Sequence, residues 1–128
     1  MHFEVERSDL SAASMEADQL LDILRTSKSD KNLRSFFRHP DFLEVLLIII
    51  KLDGDQRFGL GSYIEMINKR SISHLSVANF IRDEIESGRL LISEGNKKSR
   101  KTLVASESTL SALARLFDGM NFPQDKIA

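Results

Sequence analysis

The sequence predicts a mainly α fold carrying one small β-hairpin, and three observations predict it. Apolar residues recur at spacings of three and four in separate stretches, the period of helices that bury one stripe. Two short apolar runs, 89–93 and 102–105, bracket a polar segment containing Gly95 and Asn96, the pattern of a hairpin. Pro40, Gly54, Gly88 and Gly119 stand at the joints between stretches, where they start or stop helices. The 128 residues suit a single domain, divided into N-terminal helices (1–38), a core (40–105) and a C-terminal helix (106–119).

The first helix is expected from about Asp9 to Thr26 behind Ser8 as N-cap, with Leu10, Ala13, Ala17, Leu20, Leu21 and Leu24 on one stripe. A short helix over Lys31–Arg38 must stop before Pro40, because the residue preceding proline is pushed out of the α region. Pro40 then opens a third helix running to about Lys51, apolar nearly all round. Its Ile and Val residues also suit a strand, but the proline start and the stop at Gly54 favour a buried helix.

A glycine-bearing connector, Asp53–Gly61, includes Arg57-Phe58-Gly59 as a short extended piece. Ser62-Tyr63-Ile64-Glu65 matches a capping box and opens a short helix with Ile64 and Ile67 inward. Lys69-Arg70-Ser71-Ile72 forms a tight turn. A helix capped by Ser73 runs to about Glu86 with Val77, Phe80, Ile81 and Ile85 inward, and Gly88 stops it. The hairpin follows, with residues 94–101 as a basic tip. The last helix, Glu107 to Asp118, places Leu110, Leu113, Ala114 and Phe117 on one face.

This order of elements is that of a winged helix-turn-helix. A recognition helix entering the major groove needs short polar side chains at its start, and Ser73, His74, Ser76 and Asn79 stand there. Lys69, Arg70 and Arg82 flank them as candidates for phosphate contacts, and Lys97, Lys98, Arg100 and Lys101 form a basic wing for backbone or minor groove. Taken singly, Ser73 is an N-cap, His74 a surface histidine and the wing a solvated loop; the joint arrangement is what points to duplex DNA. Charge agrees: residues 69–101 hold eight basic and four acidic residues, a net +4, which leaves −5 on the rest of a chain of net charge −1.

Residues 40–117 resemble the winged-helix core of the MarR (multiple antibiotic resistance regulator) family. The resemblance is carried by Leu60 through Ile67, Ile72-Ser73, Val77 through Ile81, Gly88 through Ile92 and Arg100 through Val104. Arg100-Lys101 fall on the family's basic wing pair, whereas Lys98 stands where the family prefers aspartate. At Glu84-Ile85 the family has its apolar residue one place earlier, which predicts a rotated or irregular helix end. The resemblance implies a homodimeric transcription regulator, its flanking helices pairing across a two-fold axis, with room for a small-molecule effector between dimerisation and winged regions.

Other classes are disfavoured. The most apolar stretch, Phe42–Leu52, covers about half of the roughly 20 residues a membrane span needs, so no membrane role is expected. The amino terminus lacks a secretory pattern and cysteine is absent, which together suggest a cytoplasmic, nucleoid-associated protein. His2, His39 and His74 have no metal-ligand spacing, and no phosphate loop or nucleophile motif occurs, so neither an enzyme nor a cofactor is expected. The alternative reading is a winged helix used for protein–protein interaction without DNA.

Overall fold

The computed structural model describes residues 7–93 and 100–118. The elements in chain order are α1 (Arg7–Ser29), a 3₁₀ turn (Phe36–Arg38), α2 (Pro40–Leu52), α3 (Leu60–Glu65), α4 (His74–Ser87), β1 (Leu90–Ile92), β2 (Leu103–Ala105) and α5 (Glu107–Asp118). The fold is mainly helical with one small antiparallel hairpin, in which Leu90 pairs with Ala105 and Ile92 with Leu103. Most of the expected hairpin tip, including Lys97 and Lys98, lies outside the described residues, as does His2.

α2 is the central element. Pro40 at its first turn and the left-handed Asp53 at its end delimit it, and Val45, Leu46 and Ile49 are fully buried on one side. Against that side pack Tyr63 and Ile64 of α3, Val77, Phe80 and Ile81 of α4, and Leu90 and Leu103 of the hairpin. The Phe80 ring stacks on Phe42 at 3.8 Å between centroids and meets Phe36 edge-on at 5.5 Å. Truncating Phe80 to alanine would cost about 3–5 kcal/mol, the usual range for a buried aromatic. A smaller cluster of Leu33, Ala112, Leu113 and Leu116 joins α5 to the rest.

Several elements depart from the sequence expectation. Residues 31–38 do not form one helix. Asp30 closes turns by accepting from the amides of Asn32, Leu33 and Arg34, and only Phe36–Arg38 coils, into a 3₁₀ turn, because His39 is already extended ahead of Pro40. α3 starts three residues early. Gly59 is its N-cap, and the Ser62 hydroxyl reaches back to accept from the Gly59 amide, so Ser62 is not the cap. Of the expected extended piece Arg57-Phe58-Gly59, Gly59 is extended, whereas Arg57 stays in a turn in which its amide and guanidinium both bond the Asp55 carboxylate.

α5 spans the expected residues but is rotated. Thr109, Ala112, Leu113 and Leu116 face inward, while Leu110 is 42% exposed and Ala114 is exposed. The rotation has a polar cause. The Ser106 hydroxyl caps the Thr109 amide, and the Thr109 hydroxyl donates to the Arg89 carbonyl at 3.1 Å, fixing Thr109 inward. In α1 the whole expected stripe is present but faces solvent, with Leu10 at 61%, Leu20 at 52% and Leu24 at 46% exposure. Gln19 and Ile23, both half-buried, and the buried Ser27 turn towards the body.

Candidate nucleic-acid interface

α4 begins where Ser73, in an extended conformation, accepts from the Ser76 amide at 3.0 Å, and it ends at Gly88, whose φ of +85° is readily adopted only by glycine. Its inward residues are Val77, Ala78, Phe80, Ile81 and Glu84. The opposite face carries Leu75, Asn79, Arg82 and Glu86, all exposed, at spacings of four, three and four that put them on one line. His74 and Ser76 flank the start of that line and are exposed. The Ser73 hydroxyl is committed to the cap and also donates to Ser76 Oγ at 2.8 Å, so its place at this face is to start the helix. Asn79 Oδ1 accepts from Arg82 Nη1 at 3.2 Å, coupling those two side chains. The acids on this helix, Asp83, Glu84 and Glu86, lie in its second half, leaving the N-terminal half neutral and aligned with the positive end of the helix dipole.

The segment between α3 and α4 is held by carboxylates that the sequence reading did not single out. Glu44 of α2 accepts from the Asn68 amide at 2.8 Å. Asp41, buried at the start of α2, accepts from the amides of Ser71 (2.8 Å) and Ile72 (3.2 Å) and from the Ser71 hydroxyl (3.3 Å). Burial alone would raise the Asp41 carboxyl, but these hydrogen bonds, with His39 nearby, hold it below its ordinary range. The one available signal was an acid directly after an N1 proline. Lys69 takes up the left-handed conformation here, with φ of +53°, and projects outward. Arg70 folds back so that Nε donates to the Ile72 carbonyl at 2.8 Å, and it remains exposed.

His39, Asp41 and Ser71 stand together but are not arranged as a nucleophilic relay. His39 Nδ1 accepts from the Asp41 amide at 3.0 Å, so in the neutral ring the proton is on Nε2, which faces Ser71 Oγ at 3.3 Å. That nitrogen therefore donates to the serine and cannot take its proton. Among the described residues no three potential metal ligands come together, and no helix is long and apolar enough to cross a membrane.

The hairpin is strapped to the connector before α3 and to α3 itself. Arg100 Nη1 donates to the Gln56 carbonyl at 2.6 Å, the Thr102 hydroxyl to the Phe58 carbonyl at 2.6 Å, and the Leu103 amide to the Tyr63 hydroxyl at 2.9 Å. Gly59 makes the approach possible, because a Cβ there would sit 2.7 Å from Arg100 Cγ. Arg82 of α4 thus shares an open cleft of about 410 Å³ with Arg100 and Lys101, and the start of α3 forms its remaining wall. Three cations from two parts of the chain line one cleft beside the exposed row of α4, with none of the described acids on its walls.

The end of α4 holds the other feature that sequence reasoning did not anticipate. The helix continues without irregularity to Ser87, and Glu84 fills the inward position as a buried carboxylate. Arg89 binds it through Nε at 2.7 Å and Nη2 at 2.9 Å, and the Ser35 hydroxyl donates to it at 2.7 Å. The pairing in turn raises the Arg89 guanidinium above its ordinary value. This network ties the segment after α1 to the end of α4 and borders a second cleft, of about 680 Å³, lined also by Lys28, Arg34 and Phe37.

No known protein family matches the chain, and no curated protein or solved structure matches it.

Proposed function

We propose that the chain is a winged helix-turn-helix protein that binds duplex DNA as a homodimeric transcription regulator. The observation that carries the reading is the cationic cleft of Arg82, Arg100 and Lys101 beside an α4 face that is exposed and uncharged at its N-terminal half. A groove-entering helix needs such a face for base edges, and cations from a separate element beside it for the flanking phosphates. In this reading His74, Ser76 and Asn79 meet bases. Lys69, Arg70, Arg82, Arg100 and Lys101, with Lys97 and Lys98 of the wing, meet the backbone.

A second copy supplies what one chain lacks. The α1 stripe is exposed along its length, and a net +4 on residues 69–101 gives only modest affinity for a polyanion. Pairing of α1 and α5 across a two-fold axis covers the stripe and sets two α4 helices about one turn of DNA apart, roughly 34–36 Å. An effector, where one acts, has room in the cleft beside Glu84 and Arg89. The place of action on this reading is the cytoplasm, at the nucleoid.

The test is retention of duplex DNA across a salt series. Binding should weaken steeply with salt, and Arg100→Ala with Lys101→Ala should lower affinity on every sequence and flatten the salt dependence by about one unit per lost phosphate contact. Asn79→Ala should instead change which sequences are preferred. Absence of any retained duplex at low salt would refute the reading in favour of a protein-interaction role.

A further inference from the structure

We propose that Leu75 reads the C5-methyl group of a thymine in the major groove, so that each half-site carries a thymine at one fixed position. The inference rests on the DNA-binding reading above and names a specificity determinant within it. At 64% exposure Leu75 is the most exposed large apolar side chain among the described residues. It occupies the second position of α4, one turn before Asn79 on the outward line, in the part of an entering helix that reaches base edges.

Its surroundings point to a base edge rather than to a protein partner. His74, Ser76, Asn79 and Arg82 frame it with polar or charged side chains, all exposed, and the cationic cleft lies on the same side of the molecule as Arg82. A protein-binding site instead centres on a contiguous apolar patch depleted of charge. In the major groove the apolar substituent that distinguishes a base is the thymine methyl, and the other distinguishing groups are hydrogen-bond donors and acceptors. A single leucine set among hydrogen-bonding side chains matches that composition. The polar neighbours keep their bonds to the groove while Leu75 covers the methyl.

Uracil isolates the contact, because it keeps thymine's pairing and hydrogen-bonding edge and lacks only the methyl. A duplex selected by the full-length protein from a random pool would be resynthesised with each thymine replaced in turn by deoxyuridine. Wild-type binding should weaken about four-fold at one position per half-site, the effect of losing one buried methyl-sized group. Leu75→Ala should bind the thymine and uracil duplexes equally there while keeping its salt dependence. Since the side chain is exposed, this variant should fold as wild type by circular dichroism. Full-strength duplex binding with a uracil scan that never separates wild type from L75A overturns the role of Leu75 alone. Failure to retain any duplex at low salt overturns the DNA-binding reading beneath it.

Discussion

Replacing Asp41 with alanine removes the carboxylate whose Oδ2 accepts three hydrogen bonds that hold the start of α4, from the Ser71 amide, the Ile72 amide and the Ser71 hydroxyl. Hydrogen bonds to a charged group contribute about 1.5–3 kcal/mol each when made singly. Ser71 is exposed, so its hydroxyl and in part its amide regain water in the variant, and the three contributions do not add. The net loss should be about 2–4 kcal/mol, a large fraction of a stability of about 5–15 kcal/mol. Asp41→Asn keeps an acceptor oxygen and drops the charge, so it should lose only about 1 kcal/mol.

The pH dependence has a definite sign. The Asp41 carboxyl lies below its ordinary value of 3.8 in the folded chain, so its stabilisation is complete above that value and is lost as pH falls through the lower folded one. The advantage of wild type over D41N should therefore be constant near neutrality and shrink below about pH 4. Urea unfolding, comparing midpoints at equal slope, reads all three proteins. An alanine variant within about 0.5 kcal/mol of wild type, well inside the effect expected for even one such bond, would refute the argument. So would an asparagine variant as unstable as the alanine one.

Arg89→Met leaves Glu84 buried with only the Ser35 hydroxyl. It should cost about 2–4 kcal/mol, below the full value for a broken buried pair because the arginine side chain is 28% exposed. Adding Glu84→Leu should recover most of that loss in urea unfolding; a double variant no more stable than R89M would contradict it. Gly59→Ala puts a Cβ 2.7 Å from Arg100 Cγ and should destabilise by about 1–3 kcal/mol while displacing Arg100, read by urea midpoint and by the salt dependence of DNA retention. Leu20→Glu with Leu24→Glu, at sites 52% and 46% exposed, should leave helix content unchanged and convert a dimer to a monomer in sedimentation equilibrium. A wild-type monomer would remove the basis for pairing through α1.

Much of the architecture was legible along the chain because its signals are local. Pro40, Ser73 and Gly88 act through their own backbone and nearest turns, and the elements they delimit fall within a few residues of where the sequence places them. The α1 stripe was equally legible as a pattern, but periodicity identifies an apolar face without saying what covers it, and here the chain leaves it exposed. At α5 the pattern pointed to Leu110 and Ala114 as well as to Leu113 and Phe117, yet the helix is turned by about one residue, with the Thr109 hydroxyl on the Arg89 carbonyl, so Leu110 and Ala114 are exposed.

The sequence by itself determined the helix–turn–helix–hairpin order and its charge asymmetry, since both depend only on spacing and residue type. Tertiary structure decided which side chains share a surface. It placed Arg82 beside Arg100 and Lys101, turned Glu84 inward against Arg89, and set Leu75 out in solvent. Asp41 lies thirty residues from Ser71, and Arg100 forty-four from Gln56. Contacts at such separations depend on how helices pack around α2, and no local periodicity encodes that packing.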